Sequence, residues 1–481
     1  WPYGNMYEDI EKFCFFSKAV LSILPLIGFK PDIIHCHDWQ TGLIPVYLHD
    51  SFQSDPFFWG IKTIFTIHNL KFQGTWSVDT IKGFSGLSDY YFTSDKLEAY
   101  GNGNMLKGGL VYADRITTVS RSYASEIRMP FYGEGLDGLL RARSKQLSGI
   151  VNGIDYNVYN PKTDKDIAVN YSVEDVIKAK AANKTALQKE LGLEENPDAF
   201  MLGIVSRLTD QKGLDLVECV LDQICAEDVQ LVVLGTGEGK YQDMFTYYSR
   251  KYPERVSANI FYSEALSHRI YASCDAFLMP SLFEPCGLSQ LMSLRYGTLP
   301  IVRETGGLRD TVTPYNEVDG TGTGFSFTNY NAHEMLAIIR YAKKTYFNDR
   351  RAWNEMVLRA MKQDFSWDAS AREYEKLYDG LIEEEARRKE AIRLQQAREA
   401  AEAALKEAEK ALELAKRAEE KAIRKFSGIE DETEDERTET AEVEADKTPE
   451  AAPEPEEVTE VLETPEEAKE VVTKAKPEEK E

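Results

Sequence analysis

Twice along this chain, short apolar runs alternate with amphipathic segments, and that doubled rhythm restricts the fold to parallel sheets covered by helices. The first series comprises Ile33-Ile34, Lys62 to Ile67, Arg115 to Val119 and Ser148 to Val151. The second comprises Met201 to Val205, Gln230 to Leu234, Asn259 to Tyr262, Ala276 to Met279 and Leu299 to Val302. A connecting region from Tyr156 to Pro197 separates them and carries a predicted helix around Val173 to Leu191. The expectation is an α/β chain of two Rossmann-like halves with a cleft between them.

Composition changes beyond the second series. A helix is predicted over Ser366 to Asp379, and from Glu383 to Lys425 the chain is rich in Ala, Glu, Lys and Arg. Alanines at 397, 401, 404, 408, 411, 415, 418 and 422 form a heptad seam, with Leu405 and Leu412 beside it. Pairing with a second helix and a lone helix steadied by charge pairs are both open. Past Gly428 the Glu, Pro and Thr-rich stretch is expected to be disordered. The expected boundaries are 1–157 for the first half, incomplete at its start, and 158–365 for the second. A closing helix over 366–382, a charged helix or coiled coil over 383–426 and an acidic tail over 427–481 follow.

Glu430 to Glu481 holds 22 acidic and 6 basic residues, which accounts for 16 of the 24 net negative charges. The body shows no basic stripe, so nucleic-acid binding is excluded as an expectation. The six cysteines, at 14, 36, 219, 225, 274 and 286, follow no CxxC or CxxH spacing, which argues against both zinc and a disulfide framework. No apolar run of about eighteen residues occurs, so no membrane span is expected and the location is read as cytoplasm or plastid stroma.

The polar residues that end each apolar run carry the functional signal. In the first series these are His37-Asp38-Trp39, His68-Asn69, Ser120 and Asn152-Gly153-Ile154-Asp155. His35, Cys36 and His37 invite a metal, but along a strand His35 and His37 share a face that Cys36 does not, and a substrate-binding edge is the better reading. In the second series Ser206 to Gly213, reading SRLTDQKG, places Arg207 and Lys212 near a helix start, as an anion site requires. Two solvated surface cations are the plainer alternative. Gly235-Thr236-Gly237-Glu238-Gly239-Lys240 fails both the dinucleotide and the P-loop spacing and reads as a tight turn. In PSLFEPCGLSQLMSLRYGTLPIVRETGGLRDT, Pro280 to Thr311, Glu284 and Cys286 stand where a strand gives way to a helix. Thr305-Gly306-Gly307 then offers backbone amides to phosphate oxygens.

Taken together, HDW at 37–39, HN at 68–69, NGID at 152–155, SRLTDQKG, FEPCGLSQL and YGTLPIVRETGGL resemble the glycogen and starch synthases over about Pro31 to Tyr378. These are retaining GT-B glycosyltransferases that transfer glucose from ADP-glucose to the end of an α-1,4-glucan, without metal or cofactor. The resemblance implies that Arg207 and Lys212 neutralise the diphosphate, helped by the Thr305, Gly306 and Gly307 amides. It implies that Glu284 is the essential acid near the glucose and Lys212, with the Cys286 backbone and Gly287 on the same sugar and Leu288 among the substrate-binding residues. Asp38 and His68 would approach the glucose from the other half, with Trp39, Asn69 and Asn152 lining that edge, and Tyr262 would stack on the adenine.

Two departures bear on the resemblance. Where many GT-B enzymes carry a second glutamate, eight residues after the first, this chain has Met292, as expected for the glycogen synthase branch. The family normally opens with a strand and a Lys-Thr-Gly-Gly-Leu loop, and none precedes Tyr3, so about 100 residues of the first half are expected to be missing and one sheet edge unpaired. That departure sustains an alternative, a catalytically inactive glucan-binding scaffold whose helical tail recruits partners. A pyridoxal-dependent phosphorylase is disfavoured because no matching lysine motif occurs.

Overall fold

The computed structural model describes residues 5–428, so most of the expected acidic tail, 429–481, lies outside the described residues. In the first part of the chain the strands are β1 (Ile33–His37), β2 (Lys62–Ile67), β3 (Thr75–Ser77), β4 (Glu98–Ala99), β5 (Asn102–Asn104), β6 (Arg115–Thr118) and β7 (Leu147–Gly149). In the second part they are β8 (Phe200–Val205), β9 (Val229–Leu234), β10 (Val256–Asn259), β11 (Ala276–Met279), β12 (Leu299–Arg303) and β13 (Phe325–Phe327). Two parallel sheets result, ordered β1-β2-β6-β7 and β10-β9-β8-β11-β12-β13, with a small antiparallel β3-β5-β4 sheet besides.

The second sheet fixes where chemistry can sit. The chain winds outward from β8 through β9 to β10, then returns to pair β11 with β8 and winds the other way. The order reverses between β8 and β11, and the crevice outside their carboxyl ends is where open α/β sheets hold ligands. Ile204, Leu231, Val233, Phe277 and Ile301 are buried in one core with Val217, Leu221 and Leu336 from the covering helices. A separate core joins Phe65, Ile67 and Ile116 of the first sheet to Leu43, Val46, Leu106 and Leu110.

Several elements differ from the sequence expectation. Helix Met6–Leu26 precedes β1 and buries Ile10, Cys14 and Leu21 against the first core. The strand expected at Asn259 to Tyr262 lies earlier, at Val256–Asn259, because Val256 pairs with Leu231 and leaves Phe261 and Tyr262 in an exposed loop. Phe325–Phe327 adds a sixth strand, too short to stand out between glycine-rich turns. The two helices expected over 366–382 and 383–426 are one unbroken helix, Trp367–Phe426. Leu381 is buried, Glu384 meets Arg115 at 2.6 Å and Glu385 meets Lys62 at 3.1 Å, so charges expected to be solvated bind this helix to the first sheet. The compact body accordingly extends to Glu390. From Ala391 on, the helix is exposed, with Leu394, Leu405 and Leu412 open to solvent and ion pairs such as Arg398 to Glu402 at 3.0 Å.

The chain crosses between the two sheets twice, and the crossings lie side by side. Ile154 pairs with Ser366, and the Ile154 amide donates to the Phe365 carbonyl at 2.8 Å. Tyr156 Oη accepts from the Phe365 amide at 2.8 Å, and Ser370 Oγ donates to the Val151 carbonyl at 2.7 Å. Gly153 leaves no room for a side chain there, since a Cβ would overlap the Trp367 backbone.

Candidate active site

The loops leaving β8 and β11 meet at the reversal point. Lys212 Nζ lies 2.6 Å from Glu284 Oε2, and Ser281 Oγ donates to the same oxygen at 3.2 Å. Glu284 is buried and Lys212 keeps 17% side-chain exposure, so the pair is shielded but open to one side. Arg207 is exposed and makes no ion pair among the described residues. Sequence spacing placed the two cations together. The structure separates their situations, one paired with a carboxylate and one unpaired.

The β8 loop is pinned from behind by the glycine-rich turn. Leu208 donates to the Thr236 carbonyl at 2.8 Å, and Glu238 donates to the Leu208 carbonyl at 2.7 Å. Lys240 and Tyr241 both bond Asp210. The expected tight turn is therefore also a clasp for the SRLTDQKG loop. Its front borders a cavity of about 240 Å³ lined by Arg207, Gly235, Thr236, Tyr159, Tyr262 and Met292, among others. Tyr262 is 86% exposed, so its ring is available to stack.

On the first sheet's edge, Asp38 Oδ1 accepts from the His68 amide at 2.8 Å. Burial pushes the Asp38 carboxyl up to about 6, opposed by the hydrogen bonds from the His68 and Asn69 amides. Asp38 holds φ 55° and ψ −175°, a region otherwise reserved for glycine that costs about 1–3 kcal/mol and typically marks a functional position. His37 Nδ1 and His68 Nε2 are 3.0 Å apart, and His35 stacks on His37 with centroids 4.3 Å apart. Burial, then the neighbouring His37 and His68, lowers His35 to about 3, and burial first also lowers His37 and His68, so the row is neutral near pH 7. His35 is further engaged by Tyr378 Oη at 2.7 Å and Thr66 Oγ1 at 2.6 Å.

Some expected site residues lie elsewhere. Trp39 is 1% exposed and packs edge-on against Phe13 at 5.1 Å, so it belongs to the core and not to a substrate edge. The strained turn at Asp38 carries the indole inward. Asn69 Oδ1 accepts from the Lys71 amide at 3.1 Å and holds its own turn. Asn152 lines a different cavity, of about 350 Å³, with Arg121, Asp310 and Glu373, while its backbone meets the Cys286 thiol. Burial drives that thiol up to about 12, so it is inert. Gly287 has φ 71° and Leu288 is 40% exposed at the uncapped start of helix Ser289–Arg295.

The expected phosphate cradle at Thr305-Gly306-Gly307 is already filled by protein. Thr305 N donates to the Arg303 carbonyl at 2.9 Å, Gly307 N to the Glu284 carbonyl at 3.0 Å and Leu308 N to the Thr305 carbonyl at 3.1 Å. Gly306 N donates to Glu126 Oε1 at 2.9 Å. A carboxylate from helix Arg121–Glu126 thus takes the place expected for a phosphate. Glu126 was missed because a glutamate ending a short helix, Arg121–Glu126, has no local signature. Metal-type ligands also gather where the sequence showed none. Asp164, Asp166 and His268 have ligand atoms within 4.8 Å of one another. Hydrogen bonds from His268 Nδ1, at 2.7 Å, and from Tyr296 engage Asp164.

Two parallel sheets covered by helices, with a shielded lysine-glutamate pair at the reversal point of the second, are the architecture of a GT-B glycosyltransferase. The solved catalytic domain of starch synthase IV from Arabidopsis thaliana, bound to ADP and acarbose, is 35% identical with a TM-score of 0.73, covering 78% of each chain. Residues 2–142 match the family described as starch synthase catalytic domain, and residues 185–357 match glycosyl transferases group 1. A glycogen synthase of Lachnospira eligens is 69% identical over 79% of this chain and 80% of its own length. One from Clostridium acetobutylicum is 51% identical over 78% and 79%. The chain belongs to the glycogen and starch synthase family.

Proposed function

We propose that this chain transfers glucose from ADP-glucose to the non-reducing end of an α-1,4-glucan with retention of configuration. The observation that carries the reading is the Lys212 to Glu284 pair, 2.6 Å apart at the β8 and β11 loop ends. Lys212 and Arg207 receive the negative charge of the departing ADP, and Glu284 steadies the hexose while holding Lys212 in place. The adenine enters the cavity beside Arg207 and stacks on Tyr262. Asp38 fixes the His68 amide and so the backbone beside the anomeric carbon. Glu284 is already committed to Lys212, which favours front-face transfer in which a donor phosphate oxygen accepts the acceptor's proton. The ADP-bound Arabidopsis neighbour and the bacterial relatives support the donor and the acceptor.

The test is glucose incorporation into glycogen from labelled ADP-glucose, with UDP-glucose in parallel. Incorporation from ADP-glucose that Glu284→Ala abolishes is the expected result. No incorporation by the wild-type chain, with ADP still bound, would favour the scaffold reading.

In this reading residues 1–157 and 158–365 are the two lobes and 366–382 returns to the first. The exposed stretch through Leu405 and Leu412 offers a face for a second helix. Sedimentation of the full chain against one ending at Glu390 tests this; equal oligomeric states would refute it. No helix among the described residues is long and apolar enough to cross a membrane. The glycogen synthases it resembles at 51–69% identity are bacterial, and on that kinship we place the chain in the cytoplasm.

A further inference from the structure

We propose that Glu126 is a positioning residue for Glu284, acting as a clamp thrown from the first lobe onto the loop behind the catalytic acid. The proposal rests on the role of Glu284 given above.

The segment Glu284-Pro285-Cys286 shows its front to Lys212 and its back to the Gly306-Gly307 turn. A Cβ on Gly306, where φ is 45°, would overlap the Glu284 carbonyl oxygen, and one on Gly307 would overlap that of Cys286. The contact is therefore backbone on backbone. Gly307 N donates to the Glu284 carbonyl at 3.0 Å, so any displacement of the turn moves the acid.

The turn itself is held from the other lobe. Glu126 Oε1 accepts from Gly306 N at 2.9 Å, and Thr305 Oγ1 lies 3.2 Å from both carboxylate oxygens. Around this contact Ser120 Oγ donates to the Pro285 carbonyl at 2.6 Å. Ser122 donates to Asp310 through its amide at 2.9 Å and its hydroxyl at 2.6 Å. Residues 120 to 126 thus grip both the acid's own loop and the turn behind it. A charge-assisted bond to a glycine amide is stronger than a neutral one, and leaving that buried amide unmatched is costly. Because Glu126 and Gly306 belong to different lobes, the contact forms only when the lobes are together, which ties the placement of Glu284 to closure.

The test uses the full chain with Glu126→Ala and Glu126→Gln, read by hydrogen–deuterium exchange over 303–311 with and without saturating ADP, and by steady-state kinetics. In Glu126→Ala exchange over this segment should rise roughly tenfold or more and kcat should fall by a similar factor, with KM for glycogen unchanged. Glu126→Gln keeps an oxygen acceptor and should restore most of both. Unchanged exchange in Glu126→Ala overturns the clamp. So does a Gln variant no better than Ala, or saturating ADP erasing the exchange difference between Glu126→Ala and the wild type, since phosphate would then serve the Gly306 amide in place of the carboxylate. A wild-type chain that shows the exchange pattern but transfers no glucose leaves the clamp standing and sinks the transferase reading.

Discussion

Lys212 and Glu284 are 72 positions apart in sequence and 2.6 Å apart in space, joined across the point where the second sheet reverses its winding. Each is the other's main partner in a shielded setting. Removing Lys212 strands the buried Glu284 charge, so stability should fall as well, by less than the roughly 3–5 kcal/mol of a fully buried pair because Lys212 keeps 17% side-chain exposure. Activity and stability are therefore coupled at this pair.

Lys212→Ala should lower kcat by roughly a hundredfold to a thousandfold, the scale of losing one preorganised donor to a developing negative charge. Glu284→Ala should be at least as severe in kcat while the far-ultraviolet circular dichroism stays unchanged. A Lys212→Ala rate within about tenfold of wild type would remove this residue from the mechanism.

Asp38 gives a pH signature in two observables. Its folded carboxyl titrates at about 6, above the ordinary 3.8, chiefly through burial. If its charge holds the His68 amide, kcat/KM should decline below about pH 6, by roughly tenfold per unit at the acid end. The stability slope runs opposite to that of a salt-bridged acid. Between 3.8 and about 6 the folded chain keeps a proton that the unfolded chain has released, so this contribution is full below 3.8 and lost as pH rises through about 6. Subtracting the Tm profile of Asp38→Asn from that of wild type isolates it, and a flat difference would contradict the assignment.

Tyr262→Ala should raise KM for ADP-glucose by up to about tenfold, the worth of one stacked aromatic, with little change in Tm because the ring is 86% exposed. Isothermal titration with ADP measures the same loss without turnover.

Ending the chain at Glu390 should leave Tm and kcat unchanged, since the compact body reaches that residue. Ending it at Gly380 removes buried Leu381, the Glu384 partner of Arg115 and one of the two partners of Lys62, and should cost about 2–4 kcal/mol in urea unfolding. Equal urea midpoints for the two would show that the helix does not brace the first sheet.

What the sequence revealed follows from how local each signal is. Parallel strands such as Val229–Leu234 are nearly continuous apolar runs, broken there by Gln230 alone, and SRLTDQKG and FEPCGLSQL are family signatures written in a few consecutive residues, so strands and family were legible. Trp39 misled because its motif neighbour Asp38 turns the backbone through a left-handed φ and sends the indole into the core. Thr305 to Gly307 misled because glycine-rich turns fit both a phosphate and a second backbone, and only the tertiary packing decides. Glu126 and the Glu384 and Glu385 pairs were invisible because their partners lie over a hundred residues away.

The paired crossings at Ile154 and Ser366 have a mechanical consequence. Two strands of chain bonded flank to flank behave as a strap and not as a single thread, bending readily about one line while resisting torsion. In the proposed two-lobe reading such a spine favours opening and closing about that one line, like a book. Sugar nucleotide and polymer must both enter through the fore-edge, and a substitution in the strap should alter how quickly the pages turn without touching what is written on them.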